Sequence, residues 1–152
     1  MLRRTFAPLS ILFFASLLSA QAVSFSGGSM SIAAGTNVVL NGPLVWQLSA
    51  DAVVVNDGLI ELGEQAQLEE SAGAPITGTG TEHALLPLTG PLVAAEPGGL
   101  GLTLSSALSE GTVSVTRGHL PRTATNGAVG IGRWFAVGAD PATNGTLDLA
   151  LY

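Results

Sequence analysis

The chain has no cysteine and no lysine, and charged side chains make up only 11% of its 152 residues. Without cysteine there is no disulfide framework and no lipid anchor on a modified thiol, so an exported domain must rely on sheet packing and length instead of staples. Without lysine the cations are five arginines, set against eleven carboxylates. That balance leaves almost nothing to neutralise a phosphate backbone, which argues strongly against nucleic acid and against anionic membrane surfaces. Aromatic residues are scarce at 5%, too few for the exposed platforms that usually carry sugar contacts. Charge is low beside the roughly 25% of an average domain, so Thr, Ser, Asn and Gln must do much of the solvating. Sustained helical periodicity is missing too. Breakers such as Gly27-Gly28, Asn41-Gly42-Pro43, Asp57-Gly58, Gly90-Pro91 and Pro97-Gly98-Gly99 recur too often for three clean turns.

The N-terminus carries the one long apolar run. Arg3 and Arg4 precede Leu9–Leu18 (LSILFFASLL), and Ala20-Gln21-Ala22 follows with small residues at the two positions that signal peptidase reads. The run is too short to cross a hydrocarbon core of about 30 Å as a helix. Residues 1–22 are therefore expected to be a signal peptide cleaved after Ala22, and no second run long enough to span a membrane follows. The mature chain keeps Arg117, Arg122 and Arg133 against eleven carboxylates, a net charge of −8.

What remains is alternating β material. In Leu44–Leu48 (LVWQL), Leu44, Trp46 and Leu48 share one face; in Leu59–Leu62 (LIEL), Ile60 and Leu62 turn inward and Glu61 outward; Ala66 and Leu68 repeat the pattern. Gly58, after Asn56-Asp57, is expected at a positive-φ corner. Short strands with inward aliphatics and Gly or Asn corners predict an all-β chain whose N-terminal half, 23–88, is an irregular β-solenoid-like region. No period can be read from the repeats, and an antiparallel sandwich gives the same local alternation. From 89 to 152, Leu100–Leu104, Thr112–Thr116, Ile131–Val137 and Leu147–Leu151 alternate as four strands with long polar connections, part of an antiparallel β-sandwich. The last strand runs into Tyr152, as expected of a module that continues in a longer protein.

The segments Thr116-Arg117-Gly118-His119 and Arg133-Trp134-Phe135 carry a resemblance. Together with the signal peptide and the Gly/Asn-rich β region, they resemble a module of secreted surface proteins from Bacteroidetes-type bacteria. Many of those end in a sorting domain for the type IX secretion system. The resemblance implies a Gram-negative surface or secreted protein, with outer-membrane export machinery as a partner if a sorting domain follows. Ala136 stands where those proteins usually have an acidic residue.

Candidate sites are few. Arg117 and His119 lie two apart, and Arg133 is placed to approach them. They form either an anion site or a structural lock in which Arg117 and His119 bind main-chain carbonyls and hold the connector 120–130. The lock is preferred, because one His without a nucleophile makes no triad. His83 beside Glu82 has no ligand spacing and reads as a surface position, so no metal is expected. Glu69-Glu70 with Asp57, and the 140–145 loop with Asp148, offer calcium too few oxygens. Glu61, Glu64 and Glu69 are the candidates for a glycosidase pair, but they fall at outward positions. Trp46 and Trp134 sit in alternating strands. No nucleophile elbow, phosphate loop or dinucleotide fingerprint is present, and no cofactor is implied.

The expected function is a non-catalytic secreted or cell-surface structural or adhesion-type protein with an unknown surface or matrix partner. A glycan- or calcium-binding surface module is the alternative, and a glycoside-active β-solenoid enzyme is the third. Replacing Ala20 and Ala22 with bulky residues should leave an unprocessed precursor. Mass spectrometry of the wild-type N-terminus checks the assignment, and a start far from Val23 would refute it.

Overall fold

The computed structural model describes residues 21–72, 76–107, 111–121, 127, 132–140 and 147–151, and in them the chain is all β apart from a single 3-10 turn at Pro97–Gly99. The first coil of chain is β1 (Gln21–Phe25), β2 (Gly28–Ile32) and β3 (Asn37–Leu40); the second is β4 (Leu44–Leu48), β5 (Ala52–Asn56) and β6 (Leu59–Leu62). The third is β7 (Gln67–Glu70), a one-residue bridge at Thr77, and the start of β8 (Thr81–Leu88). Corresponding strands of successive coils pair in parallel, β1-β4-β7 on one side, β2-β5-Thr77 on the next and β3-β6-β8 on the third.

The register supplies the period that the sequence hides. Val45 lies opposite Gln67, Val55 opposite Thr77 and Leu59 opposite Thr81, the same 22-residue offset on all three sides. Between the first two coils the offset drifts: Gln21 faces Leu44, Gly28 faces Ala52 and Asn37 faces Leu59. The drift comes from the corners. Four residues, 33–36, join β2 to β3, whereas two, 57–58, join β5 to β6.

Inside the coils, side chains stack in columns because a parallel register keeps alternate residues on one face. Val38, Ile60 and Glu82 form one column, Leu40, Leu62 and Ala84 the next, and Phe25, Leu48 and Glu70 a third. Trp46, Leu48, Ile60, Leu62 and Leu68 are all buried in one cluster. Polar residues stack outside in the same way: Ser24 Oγ donates to Gln47 Oε1 (3.0 Å), and Gln47 Nε2 donates to Glu69 Oε2 (2.9 Å).

Past the third coil the pairing reverses. β8 pairs in parallel with β6 on one edge and antiparallel with β11 (Gly111–Gly118) on the other, and β12 (Trp134–Asp140) completes that five-stranded sheet. A second antiparallel sheet sets β10 (Leu102–Ser106) between β9 (Leu92–Ala95) and β13 (Leu147–Leu151). Leu102 and Leu104 of one sheet and Val113 and Val115 of the other join the same buried cluster as the coils. The core thus runs without a break across residue 88. β1, β2, β8 and β9 are strands that the sequence pattern did not single out, and β12 begins at Trp134, later than the expected Ile131.

The expectation for Gly58 needs correcting. Its φ is not positive, unlike Gly35 (79°), Gly42 (71°) and Gly78 (115°). What constrains Gly58 is the backbone of the preceding coil: a Cβ there would lie 2.4 Å from the Thr36 carbonyl oxygen and 2.8 Å from that of Ala33. Gly80 repeats the arrangement one coil on, with its Cβ position 2.2 Å from the Gly58 oxygen. The corner is stitched as well as crowded. Asp57 N donates to Ile32 O (2.8 Å), and Asp57 Oδ1 accepts from both Thr79 N and Thr79 Oγ1 (2.9 Å each). Those bonds, the main-chain one foremost, hold the Asp57 carboxyl below its ordinary range. Gly58→Ala and Gly80→Ala should each cost about 1–3 kcal/mol through forced backbone shifts. Gly42→Ala, in open space but at positive φ, should cost about 1–2 kcal/mol. Urea denaturation checks the order, and an unmoved midpoint for Gly58→Ala would mean that the corners are not in contact.

Candidate functional site

The chemistry-bearing side chains meet where the parallel coils end and the antiparallel block begins. Strand alternation in the third coil turns Glu70 and Glu82 inward, to positions held in earlier coils by Leu48 and Ile60. Glu82 is completely buried. An ionised carboxylate there is costly unless charged and hydrogen-bonding groups surround it. Arg117 on β11 lies directly opposite Glu82 in the antiparallel ladder and is itself 0% exposed.

The contacts form one network, in which Arg117 Nη2 is buried without a hydrogen-bond partner. Arg117 Nε donates to Glu82 Oε2 (3.0 Å), while Nη1 donates to Glu70 Oε2 (2.5 Å) and to the Leu100 carbonyl (3.3 Å). His119 Nε2 lies 2.8 and 2.7 Å from the two oxygens of Glu82. A carboxylate only accepts, so this nitrogen carries the hydrogen. Asn56 Nδ2 donates to Glu82 Oε1 (2.8 Å), and Asn56 Oδ1 accepts from Gly58 N (3.0 Å), tying the network to the stacked corner. Arg133 Nη2 reaches Glu70 Oε1 (3.2 Å), which also accepts from Ile76 N (2.7 Å). Two carboxylates thus meet two guanidiniums and one imidazole.

Gly118 explains why the two motif segments belong together. It faces Trp134 across the β11–β12 ladder, as Arg117 faces Phe135. A Cβ at Gly118 would fall 2.3 Å from the Trp134 ring, so the indole occupies the space that any other residue would fill. The Arg-Gly-His segment at the end of β11 and the Arg-Trp-Phe segment at the start of β12 are two sides of one contact.

Arg117, His119 and Arg133 are therefore brought together, but their partners differ from those expected. They bind the carboxylates of Glu70 and Glu82, with one main-chain carbonyl, that of Leu100, beside them. The connector they were expected to hold falls largely outside the described residues. Glu82 is not a surface neighbour of His83: alternation buries Glu82 and leaves His83 half-buried on the outer side, opposite Glu61. Glu69 points out toward Gln47 while Glu70 points in, which splits the supposed calcium pair. Glu61 is held by Asn37 Nδ2 (2.8 Å) on the β3-β6-β8 side, a different sheet from Glu69. Glu64 is exposed at a corner, Trp46 is buried, and Trp134 is half-buried on Gly118. Among the described residues no group of three or more His, Asp or Glu could hold a metal ion. Asp140 ends β12; residues 141–146 and Ala20 lie outside the described residues, and Ala22 is an exposed residue of β1. Sequence reasoning missed Glu70, Glu82 and Asn56. A 22-residue alignment would have found Glu82, an acid in a column with Val38 and Ile60.

Compared with known proteins, the chain matches no family model, no curated protein and no solved structure.

Burial alone would raise the Glu82 carboxyl, but the His119 hydrogen bond, the charges of Arg117 and His119 and the Asn56 amide outweigh it, and the group lies below its ordinary value of 4.5. A folded-state value below the unfolded one stabilises the fold above the ordinary glutamate range and loses that stabilisation as pH falls through the folded value. The urea midpoint should therefore drop below about pH 4.5, with a shallower drop in Glu82→Gln. Arg117→Ala should cost about 3–5 kcal/mol at neutral pH by leaving buried charge unpaired. Adding Glu82→Gln to it should cost less than the two single changes together. Strict additivity in that cycle would show the pair to be uncoupled.

Proposed function

We propose that this chain is a non-catalytic secreted or cell-surface protein that presents or spaces a surface, or adheres through it. One observation carries this reading: the sole constellation of acid, imidazole and guanidinium among the described residues is buried and balanced. Arg117 and Glu82 are fully enclosed and the His119 side chain is 4% exposed, while Glu70 and Arg133 border a groove at the edge of the network. Groups that must meet a substrate need an open position. Here the donors and acceptors are turned on one another, save the buried Nη2 of Arg117, as in a lock between two parts of a fold. Export through a signal peptide, and membership among Bacteroidetes-type surface proteins, rest on the N-terminal pattern and on the TRGH and RWF segments. Type IX export applies only if a sorting domain follows.

A specific observation favours glycan binding as the second reading. A groove of about 380 Å³ along one corner of the coils is lined by four serines, Gln47, Glu69 and Glu70 together with Phe25 and Leu48, a mixed surface that offers hydroxyls and an apolar floor to a hydroxylated ligand. A glycan array with the purified chain, paired with a reducing-end assay on polysaccharides, separates the readings. The structural role predicts no retained glycan and no release. Retention abolished by Gln47→Ala and Glu69→Ala would replace it with the binding module, and release abolished by Glu61→Gln or Glu64→Gln would replace it with an enzyme.

A further inference from the structure

The two ends of the coil stack differ in chemistry. At the third coil, Arg117 and β11 close the interior. At the first coil, among the described residues, β1, β2 and β3 are each the last strand of their ladder, with outer edges unpaired. Between them a cavity of about 300 Å³ opens, lined by Phe25, Met30, Ile32, Val38, Leu40 and Trp46. Free strand edges are normally blunted by charge or proline. The sequences VSF (what cleavage after Ala22 leaves of β1), GSMSI and NVVL contain neither.

Taking from the export reading only that the mature chain starts near Val23, we propose that this end docks a second copy of the chain, head to head about a two-fold axis. Charge selects the occupant. No ionisable side chain occurs from Val23 to Ala50, all eleven carboxylates follow residue 50, and the charge at this mouth is the α-ammonium of the mature N-terminus. Two copies of a chain of net charge −8 can approach here with the least like-charge repulsion. Geometry selects the symmetry. Head-to-tail stacking is opposed at the far end, where β8 is paired with β11 and the Pro97–Gly99 turn packs on β7, itself the last strand of its ladder. A two-fold axis instead sets each apolar mouth on its own copy, a self-complementary contact that closes at two subunits. The strands then meet antiparallel across the axis, with their free N–H and C=O groups paired.

The test uses the protein as it is produced from its own leader. Mass spectrometry of the N-terminus checks the export reading by itself, and sedimentation velocity from low to high concentration checks the dimer. The mass should double as concentration rises, and amides of β1–β3 should gain hydrogen-exchange protection in concentrated samples alone. Met30→Glu, which sets two charges face to face at the mouth, should weaken self-association about tenfold or more. Val53→Glu, on the exposed outer side of the second coil, should leave it unchanged. Should Met30→Glu fail to fold, the concentration-dependent protection still decides. A monomer at every concentration overturns the proposal, whether an uncleaved leader or another partner covers the end. So does a dimer whose protection lies outside β1–β3.

Discussion

The structure depends on the pairing of Glu82 with Arg117. A stack of parallel coils cannot simply stop, because its last layer would leave an open interior and a row of unpaired backbone groups. This chain carries carboxylates into the third coil at positions that were apolar before. A buried Glu82 beneath Ile60 is tolerable only if a cation and further donors reach it. The cation comes from β11, a strand of the antiparallel block. The coils are therefore complete only when that block docks, and the block's own central arginine finds its countercharges only in the coils. β8 makes the dependence physical, since it pairs with β6 on one edge and β11 on the other.

Around this pair the stack is held by backbone as much as by side chains. Successive corners lie so close that Gly58 and Gly80 have no room for a Cβ, and the carbonyls and amides that meet there bond from coil to coil. Asn56 connects this column of corners to the charge network, because its amide reaches Glu82 while its oxygen receives the amide of Gly58. Corner geometry and buried electrostatics are thereby one system. The result is polar along the coil axis. Charge is concentrated and neutralised internally at one end, and apolar side chains with open strand edges stand at the other.

Local physics was written plainly enough in the chain to determine its class. Frequent Gly, Asn and Pro with short alternating runs determine an all-β fold, because no helix survives such interruptions and the alternation sorts Trp46, Leu48, Ile60, Leu62 and Leu68 to the inside. Scarce cations determine which partners lack an electrostatic basis. Two short segments also announced that Arg117, His119 and Arg133 belong near one another. The tertiary structure decided what those residues do. The 22-residue period was masked by corners of two and four residues, since a corner's length does not affect whether the strands it joins can stack. Without the period, Glu70 and Glu82 read as ordinary surface acids beside Glu69 and His83, because inward and outward are defined only once a strand has neighbours. Gly118 likewise has no reason in the sequence to be glycine; the reason is Trp134 of β12, which lies across it. Alternation is a property of the backbone and can be read from sequence; the identity of the residue stacked above or opposite is a property of register, and register exists only in the folded chain.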